Sequence, residues 1–258
     1  MTISRALTIA SSDSGGGAGV QADLKAFAAA GVYGASVIVA LTAQNTLGVT
    51  AIHELPPEFV VAQLDAVFDD IGVDAAKTGM LFSRRLIDTV ADYFGAHPVP
   101  LVVDPVLVAS SGARLLEPDA LETLVARLFP LATVITPNLP EAVALAGEGS
   151  RPELAERLYA MGARAVIVTG GHGDDAVDHL FDGQAHVEIR VPRFAAGATH
   201  GAGCTHSATL AALLARGVPL EEAARLAAAA AGEAVRHGLA EIGAGDGPVD
   251  VLNLKGAR

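Results

Sequence analysis

A chain of 258 residues, 51% hydrophobic and only 18% charged, has the length and apolar fraction for one large core, which excludes a disordered polypeptide. Its net charge of -12 lacks the basic footprint of a nucleic-acid binder, so any anionic ligand must be met by local donors such as helix N-termini, backbone N–H groups or a metal ion. The lone cysteine excludes an internal disulfide framework, the apolar run Ala6–Ala10 is too short for a signal peptide, and no charge-free segment reaches membrane-span length, so a cytoplasmic protein is expected.

Short β-branched runs alternate with longer amphipathic stretches. Leu7–Ala10 reads as a first strand and Gly19–Ala30 as a helix with Val20, Leu24 and Phe27 on one face. Ser36–Thr42 is a continuous apolar strand, the pattern of a strand covered on both faces. Pro57–Asp70 reads as a helix with proline at its start, Ala75–Thr78 as a short strand and Arg84–Phe94 as a helix. Leu101–Val103 predicts a strand, Pro118–Phe129 a helix and Thr133–Thr136 a strand, with a helix starting near Leu139. Glu153–Met161 follows as a helix and Ala165–Val168 as a strand. His179–Phe181 and His186–Val191 flank Asp182-Gly183, a hairpin signal. Cys204–Ala215 and Leu220–Arg236 are the closing helices. This alternation predicts an α/β fold with a mostly parallel, doubly wound sheet and a late antiparallel edge hairpin. No repeat is evident, and the best loop candidate, Glu148-Gly149-Ser150, is too short to divide domains, so residues 1–258 are expected to form a single domain.

Ligands of doubly wound sheets bind beyond the carboxyl ends of the strands. The first strand leads into Ser11–Gly19 and the second into Ala43-Gln44-Asn45-Thr46. The later strands lead into Asp104, Pro137-Asn138 and Gly170-Gly171-His172. All these exits are polar or glycine-rich, and the fold brings them to one rim. Loops are polar in general, but agreement among so many exits favours an active site. Ser14–Gly19 matches neither the dinucleotide spacing nor the phosphate loop with its Gly-Lys-Ser/Thr, so on its own it is as compatible with a tight turn as with a ligand contact. Asp23 shares the inward face of its helix with Val20 and Phe27, which favours a ligand contact over a role at the helix dipole.

Thr199-His200-Gly201-Ala202-Gly203-Cys204-Thr205 is the strongest local feature. Two glycines before an Ala-rich helix let successive N–H groups point at an anion, as a phosphoryl group in transfer requires. Cys204 at that helix start is expected to have a lowered thiol pKa and to be able to take a proton from an attacking hydroxyl; a buried small apolar residue is the competing assignment. Asn138 and Glu141, three apart, can be aimed at hydrated Mg2+ or can be a helix cap with a first-turn acid, and spacing does not choose between them.

Taken together, these segments resemble the hydroxymethylpyrimidine/phosphomethylpyrimidine kinases of the ribokinase-like superfamily. The resemblance rests on Ala6–Ala10, Gly16–Gly19, Gln21–Lys25, Ala43–Thr46, Lys77–Leu81, Asp104–Val106, Thr136–Ala142, Gly170–His172 and Thr199–Thr205, in order along nearly the whole chain. It implies a ribokinase-like three-layer α/β/α fold and ATP-dependent phosphorylation of 4-amino-5-hydroxymethyl-2-methylpyrimidine, then of its monophosphate. It further implies that Gln44 hydrogen-bonds the aminopyrimidine edge, with Asp23, Ala18, Met80, Ser11 and Leu107 around the substrate. Asn138, Glu141, Thr169, Gly171, Thr199 and Asp104 would serve ATP, with Asn138 and Glu141 at Mg2+, and Gly201, Ala202, Gly203 and Cys204 would form the catalytic anion hole. A monovalent cation is an open addition, and a homodimer without nucleic-acid or membrane partners is implied.

The chain departs from the family pattern at Ser11, where glycine is usual, at Ser14-Gly15, where Pro-Ser is common, and at Thr169, where lysine is frequent. Ala198 stands for an asparagine and His206 for an apolar residue. The competing enzyme is a pyridoxal kinase. A sugar kinase fits less well, because Gln44 and Cys204 stand where Asp is expected. A non-catalytic pyrimidine binder is disfavoured by Asn138, Glu141 and Gly201–Cys204.

Overall fold

A computed structural model describes residues 2–107, 116, 117, 119–171, 177–191, 194 and 198–256. Pro118 and His172, at the edges of two expected features, lie outside the described residues. The strands are β1 (Arg5–Asp13), β2 (Tyr33–Asn45), β3 (Gly48–Glu54), β4 (Ala75–Thr78), β5 (Leu101–Val103), β6 (Val134–Ile135), β7 (Val166–Val168), β8 (Val177–Phe181) and β9 (His186–Arg190). The helices are α1 (Gly19–Ala29), α2 (Pro57–Ala66), α3 (Arg84–Ala96), α4 (Ala120–Thr123), α5 (Leu139–Ala146), α6 (Arg151–Ala160), α7 (Ala202–Ala215) and α8 (Leu220–Arg236).

One sheet runs in the order β3-β2-β1-β4-β5-β6-β7-β8-β9. The strands from β2 to β7 in that order are parallel, and β3, β8 and β9 add antiparallel pairings at the two edges. Alternation along each strand sends residues to opposite layers. Leu7, Ile9, Val37, Val39, Val103 and Ile135 pack with Leu64, Leu86, Val90 and Leu154 from α2, α3 and α6. Ala6, Val102, Val134 and Ile167 meet Phe27, Ala208, Ala211 and Ala224 from α1, α7 and α8. The alanines of α7 give a helix buried from Thr205 to Leu213, thin enough to lie between α8 and the sheet. Among the described residues no helix is long and apolar enough to cross a membrane.

The three-layer expectation and the late hairpin are present, with differences at the site. β1 extends through Ser11, Ser12 and Asp13, and β2 through Ala43, Gln44 and Asn45, segments expected as loops. The backbones of β1 and β2 stay paired to Asp13↔Thr42 despite a register shift between Ala10 and Ser12. Backbone hydrogen bonds do not require apolar side chains, so polarity misplaced these strand ends. β3, which returns antiparallel on β2, was not expected at all. The helix expected over Pro118–Phe129 is a short α4 followed by a π-helical turn at Leu124–Leu128 and a 3-10 turn at Phe129–Leu131.

Candidate active site

The order of strands reverses between β1 and β4, the switch point at which such sheets bind ligands. Beyond it, the Gly-rich loop between β1 and α1 meets the start of α7. The loop is organised by Asp13, whose carboxylate accepts the N–H groups of Gly15 (2.7 Å), Gly17 (3.0 Å) and Ala18 (2.9 Å). These N–H groups are therefore committed within the loop. His200 Nε2 lies 3.0 Å from Asp13 Oδ2, and Gln44 Nε2 lies 3.5 Å from the same nitrogen. Burial works against the charge on Asp13, but hydrogen bonds from His200, Ala18 and Gly15 outweigh it and hold the carboxyl below its usual range.

On the acceptor side, Gln44 is half-buried and its Oε1 accepts from Thr42 Oγ1 at 3.1 Å. Ser11 Oγ donates to Met80 Sδ at 3.3 Å, and both residues are buried, while Ala18 in the Gly-rich loop is half-buried. Asp23 does not line this face. It is fully buried, both its oxygens lie 3.0 Å from Lys77 Nζ, and Oδ2 accepts from Thr8 at 2.6 Å. The expected substrate contact is corrected: this carboxylate holds a lysine beneath the floor.

Gly201 caps α7 with φ +85, a conformation favouring glycine, and a Cβ there would lie 1.8 Å from Gly17 O. Among the described residues the N–H groups of Gly203 and Cys204 have no acceptor, as expected in the first turn of a helix. They form a ready donor pair for an anion. Cys204 is half-buried, and the Gly19 N–H donates to its sulfur. Burial pushes the thiol up to about 12; Lys77 opposes the shift, while Asp23 and Asp104 add to it. The expected lowering by the helix N-terminus is thus reversed, and the thiol is neutral near pH 7.

On the other side, Asn138 and Glu141 form a capping box on α5. Asn138 Oδ1 accepts the Glu141 N–H at 2.9 Å, and Glu141 Oε2 accepts the Asn138 N–H at 3.0 Å. The capping role left open by the spacing is the one the geometry holds. Leu107 N–H reaches Glu141 Oε1 at 3.3 Å, so Leu107 sits against the acid, with its side chain on the apolar layer. Burial, and then Asp104, push the Glu141 carboxyl up to about 8 against these two N–H bonds. Asp104 is itself raised by burial, opposed by Lys77 and by a 2.9 Å hydrogen bond from Ser207 Oγ.

Two crowded acids suit a hydrated divalent cation that takes its remaining ligands from phosphate oxygens. Among the described residues no cluster of three or more His, Cys, Asp or Glu side chains forms a complete protein cage. Thr169 pairs by backbone with Asn138 and bonds Pro137 O at 2.9 Å, and Gly171 is exposed beyond it. Thr199 is exposed, with its hydroxyl on Asp246 at 3.0 Å. Sequence reasoning missed Asp13, His200 and Lys77 as site residues. Their roles arise from partners 187 and 54 positions away, although all three sit in segments that the resemblance rests on or adjoins.

The chain matches the family described as phosphomethylpyrimidine kinase over residues 13–250. It is 51% identical over 253 residues to a hydroxymethylpyrimidine/phosphomethylpyrimidine kinase of Rhizobium meliloti (strain 1021), covering 95% of each chain. A solved phosphomethylpyrimidine kinase from Clostridium difficile 630 is 41% identical, with a TM-score of 0.77 over 88% of this chain and 96% of that one. The ADP complex of Bacillus subtilis pyridoxal kinase is 36% identical, with a TM-score of 0.90 over 98% of this chain and 99% of that one.

Proposed function

The chain belongs to the phosphomethylpyrimidine kinase family, and from that premise we propose that it transfers the γ-phosphoryl group of ATP to hydroxymethylpyrimidine, and then a second one to the monophosphate, in thiamine biosynthesis. The observation that carries the reading is the meeting of two sides at one helix start. His200, just before α7, lies 3.5 Å from Gln44 and Ser207 of α7 hydrogen-bonds Asp104, so the free Gly203 and Cys204 N–H groups belong to a segment that touches both sides.

In this reading Gln44 binds the ring edge, held by Thr42 and set against His200. Met80, steadied by Ser11, packs on the ring. The N–H groups at the start of α7 receive the charge that spreads over the phosphoryl oxygens during transfer. Cys204, neutral and small, accommodates both an alcohol and a phosphate acceptor; an Asp there would repel the second. Asp104 and Glu141 are the residues that would hold Mg2+ beside the nucleotide, where the ion would neutralise phosphate charge. The Asn138 oxygen is taken up by the cap, so its amide N–H2 is the group that faces the nucleotide. Thr169, Gly171 and Thr199 form the nucleotide rim.

The pyridoxal kinase alternative is favoured by shape, at a TM-score of 0.90, and disfavoured by identity, at 36% against 51%. Parallel assays of both alcohols with MgATP, with product identification, decide between them. A higher kcat/KM for pyridoxal overturns the pyrimidine assignment, and binding without ADP release overturns catalysis.

We also propose a single kinase domain over residues 1–258, supported by the one sheet that draws strands from Arg5 to Arg190. A cytoplasmic site of action follows from the use of ATP, and a homodimer is supported by the exposed apolar side chains Leu41 and Leu47 at the β2–β3 edge.

A further inference from the structure

Lys77 is the single buried lysine or arginine among the described residues, and the chemistry above gives it no task. It stands on β4, with its Nζ 3.0 Å from each Asp23 oxygen and 3.9 Å from Asp104 Oδ2. Burial works against its charge, but Asp23, Cys204 in its thiolate form and Asp104 outweigh burial and raise it above the usual lysine range. Of the charged groups that act on the thiol, Lys77 acts most strongly. Gly79 makes room for it: a Cβ there would lie 2.8 Å from Nζ and 3.0 Å from the Ala10 Cβ.

A purely structural lysine would need only Asp23. Here carboxylates from two elements reach one ammonium, Asp23 on α1 at 3.0 Å and Asp104 after β5 at 3.9 Å. Ser207, one turn beyond Cys204, holds Asp104 from the same helix at 2.9 Å. We propose that Lys77 is a positioning residue for phosphoryl transfer, its ammonium anchored on Asp23 and holding Asp104, and through Ser207 the helix that carries Cys204, in fixed relation across the floor of the site. This deepens the kinase reading and rests on it. A charge fixed before reaction does not reorganise as charge moves above it, which is how buried polar frameworks favour transfer.

The test uses two variants of the full chain. Lys77→Met/Asp23→Asn removes both charges while keeping their volumes and the acceptor for Thr8, a replacement that buried ion pairs tolerate. Its kcat should fall about tenfold or more for both phosphorylations, with each KM changed by less than about threefold and the melting midpoint close to wild type. Gly79→Ala crowds the ammonium without altering charge; the flexible end of Lys77 can yield, the Ala10 Cβ 3.0 Å away yields less readily, and the melting midpoint reports whether the fold is kept. This variant should show the same split, kcat reduced and KM little changed. Wild-type kcat in either folded variant overturns the inference and leaves the kinase reading standing. A wild-type protein that phosphorylates neither the pyrimidine nor its monophosphate overturns the kinase reading, and the inference with it.

Discussion

Asp104 and Glu141 carry the pH behaviour of the site. The Glu141 carboxyl, pushed up to about 8, keeps its proton at neutral pH until a cation replaces that proton. Cation binding therefore releases a proton below this value. The apparent Mg2+ requirement should drop as pH rises, by up to about tenfold per unit below about pH 8. Glu141→Gln should flatten the profile, and a wild-type requirement that is already flat refutes the assignment. The same group acts oppositely on the ligand-free fold. Its folded pKa lies above the ordinary carboxyl value, so its contribution to stability is complete below that ordinary value and is lost as pH rises through about 8. Thermal midpoints of ligand-free protein should fall across that window, and Glu141→Gln should remove the slope.

Cys204 makes a second residue-level prediction. A thiol pushed up to about 12 is a poor resident base, so its contribution to the first acceptor, an alcohol, should be modest. Cys204→Ala should slow the first phosphorylation about tenfold, below the full range of general-base effects, and the second less, because that acceptor is already ionised. Equal losses in single-turnover assays of the two steps would exclude selective action on the alcohol.

At the level of elements, the site depends on the Gly-rich loop being seated against α7. Gly17 and Gly201 share that seam: a Cβ on Gly17 would lie 2.3 Å from the His200 ring, and one on Gly201 would meet Gly17 O. Gly201→Ala should destabilise by about 3 kcal/mol in denaturant titrations and reduce kcat/KM about a hundredfold. Wild-type activity would show that the seam does not set the anion site. Glycines at Gly201 and Gly203 beside an Ala-rich helix were readable in the sequence, because helix starts obey local rules. The tips of β1 and β2 were not, since Ser11–Asp13 and Ala43–Asn45 have loop composition and are strands through pairing alone. Asp23 shows the same divide. Its inward face was readable from periodicity, but its partner Lys77, 54 residues away, was not, and the partner turns a ligand contact into a buried support. The raised Cys204 thiol likewise depends on burial, opposed by Lys77 and helped by Asp23 and Asp104, a setting that only the fold assembles.

For the whole molecule, the charge of -12 bears on both catalysis and assembly. A chain this acidic attracts ATP only through local donors, the role proposed above for the α7 start and Asn138. The same charge makes two copies repel, so a homodimer must be held by an apolar contact. Leu41 on β2 is 43% exposed and Leu47 in the β2–β3 turn 69%, on an edge where β3 pairs with β2 alone. If this edge joins two copies, salt screens the repulsion without weakening the apolar contact. The dimer dissociation constant should therefore fall severalfold between roughly 0.05 M and 0.5 M salt, measured by sedimentation equilibrium. Leu41→Glu/Leu47→Glu should give a monomer at either salt with an unchanged melting midpoint, because neither side chain is buried within the chain. Monomeric wild-type protein at tens of micromolar in both salts would exclude the dimer, and a variant that still dimerises would place the contact elsewhere on the surface.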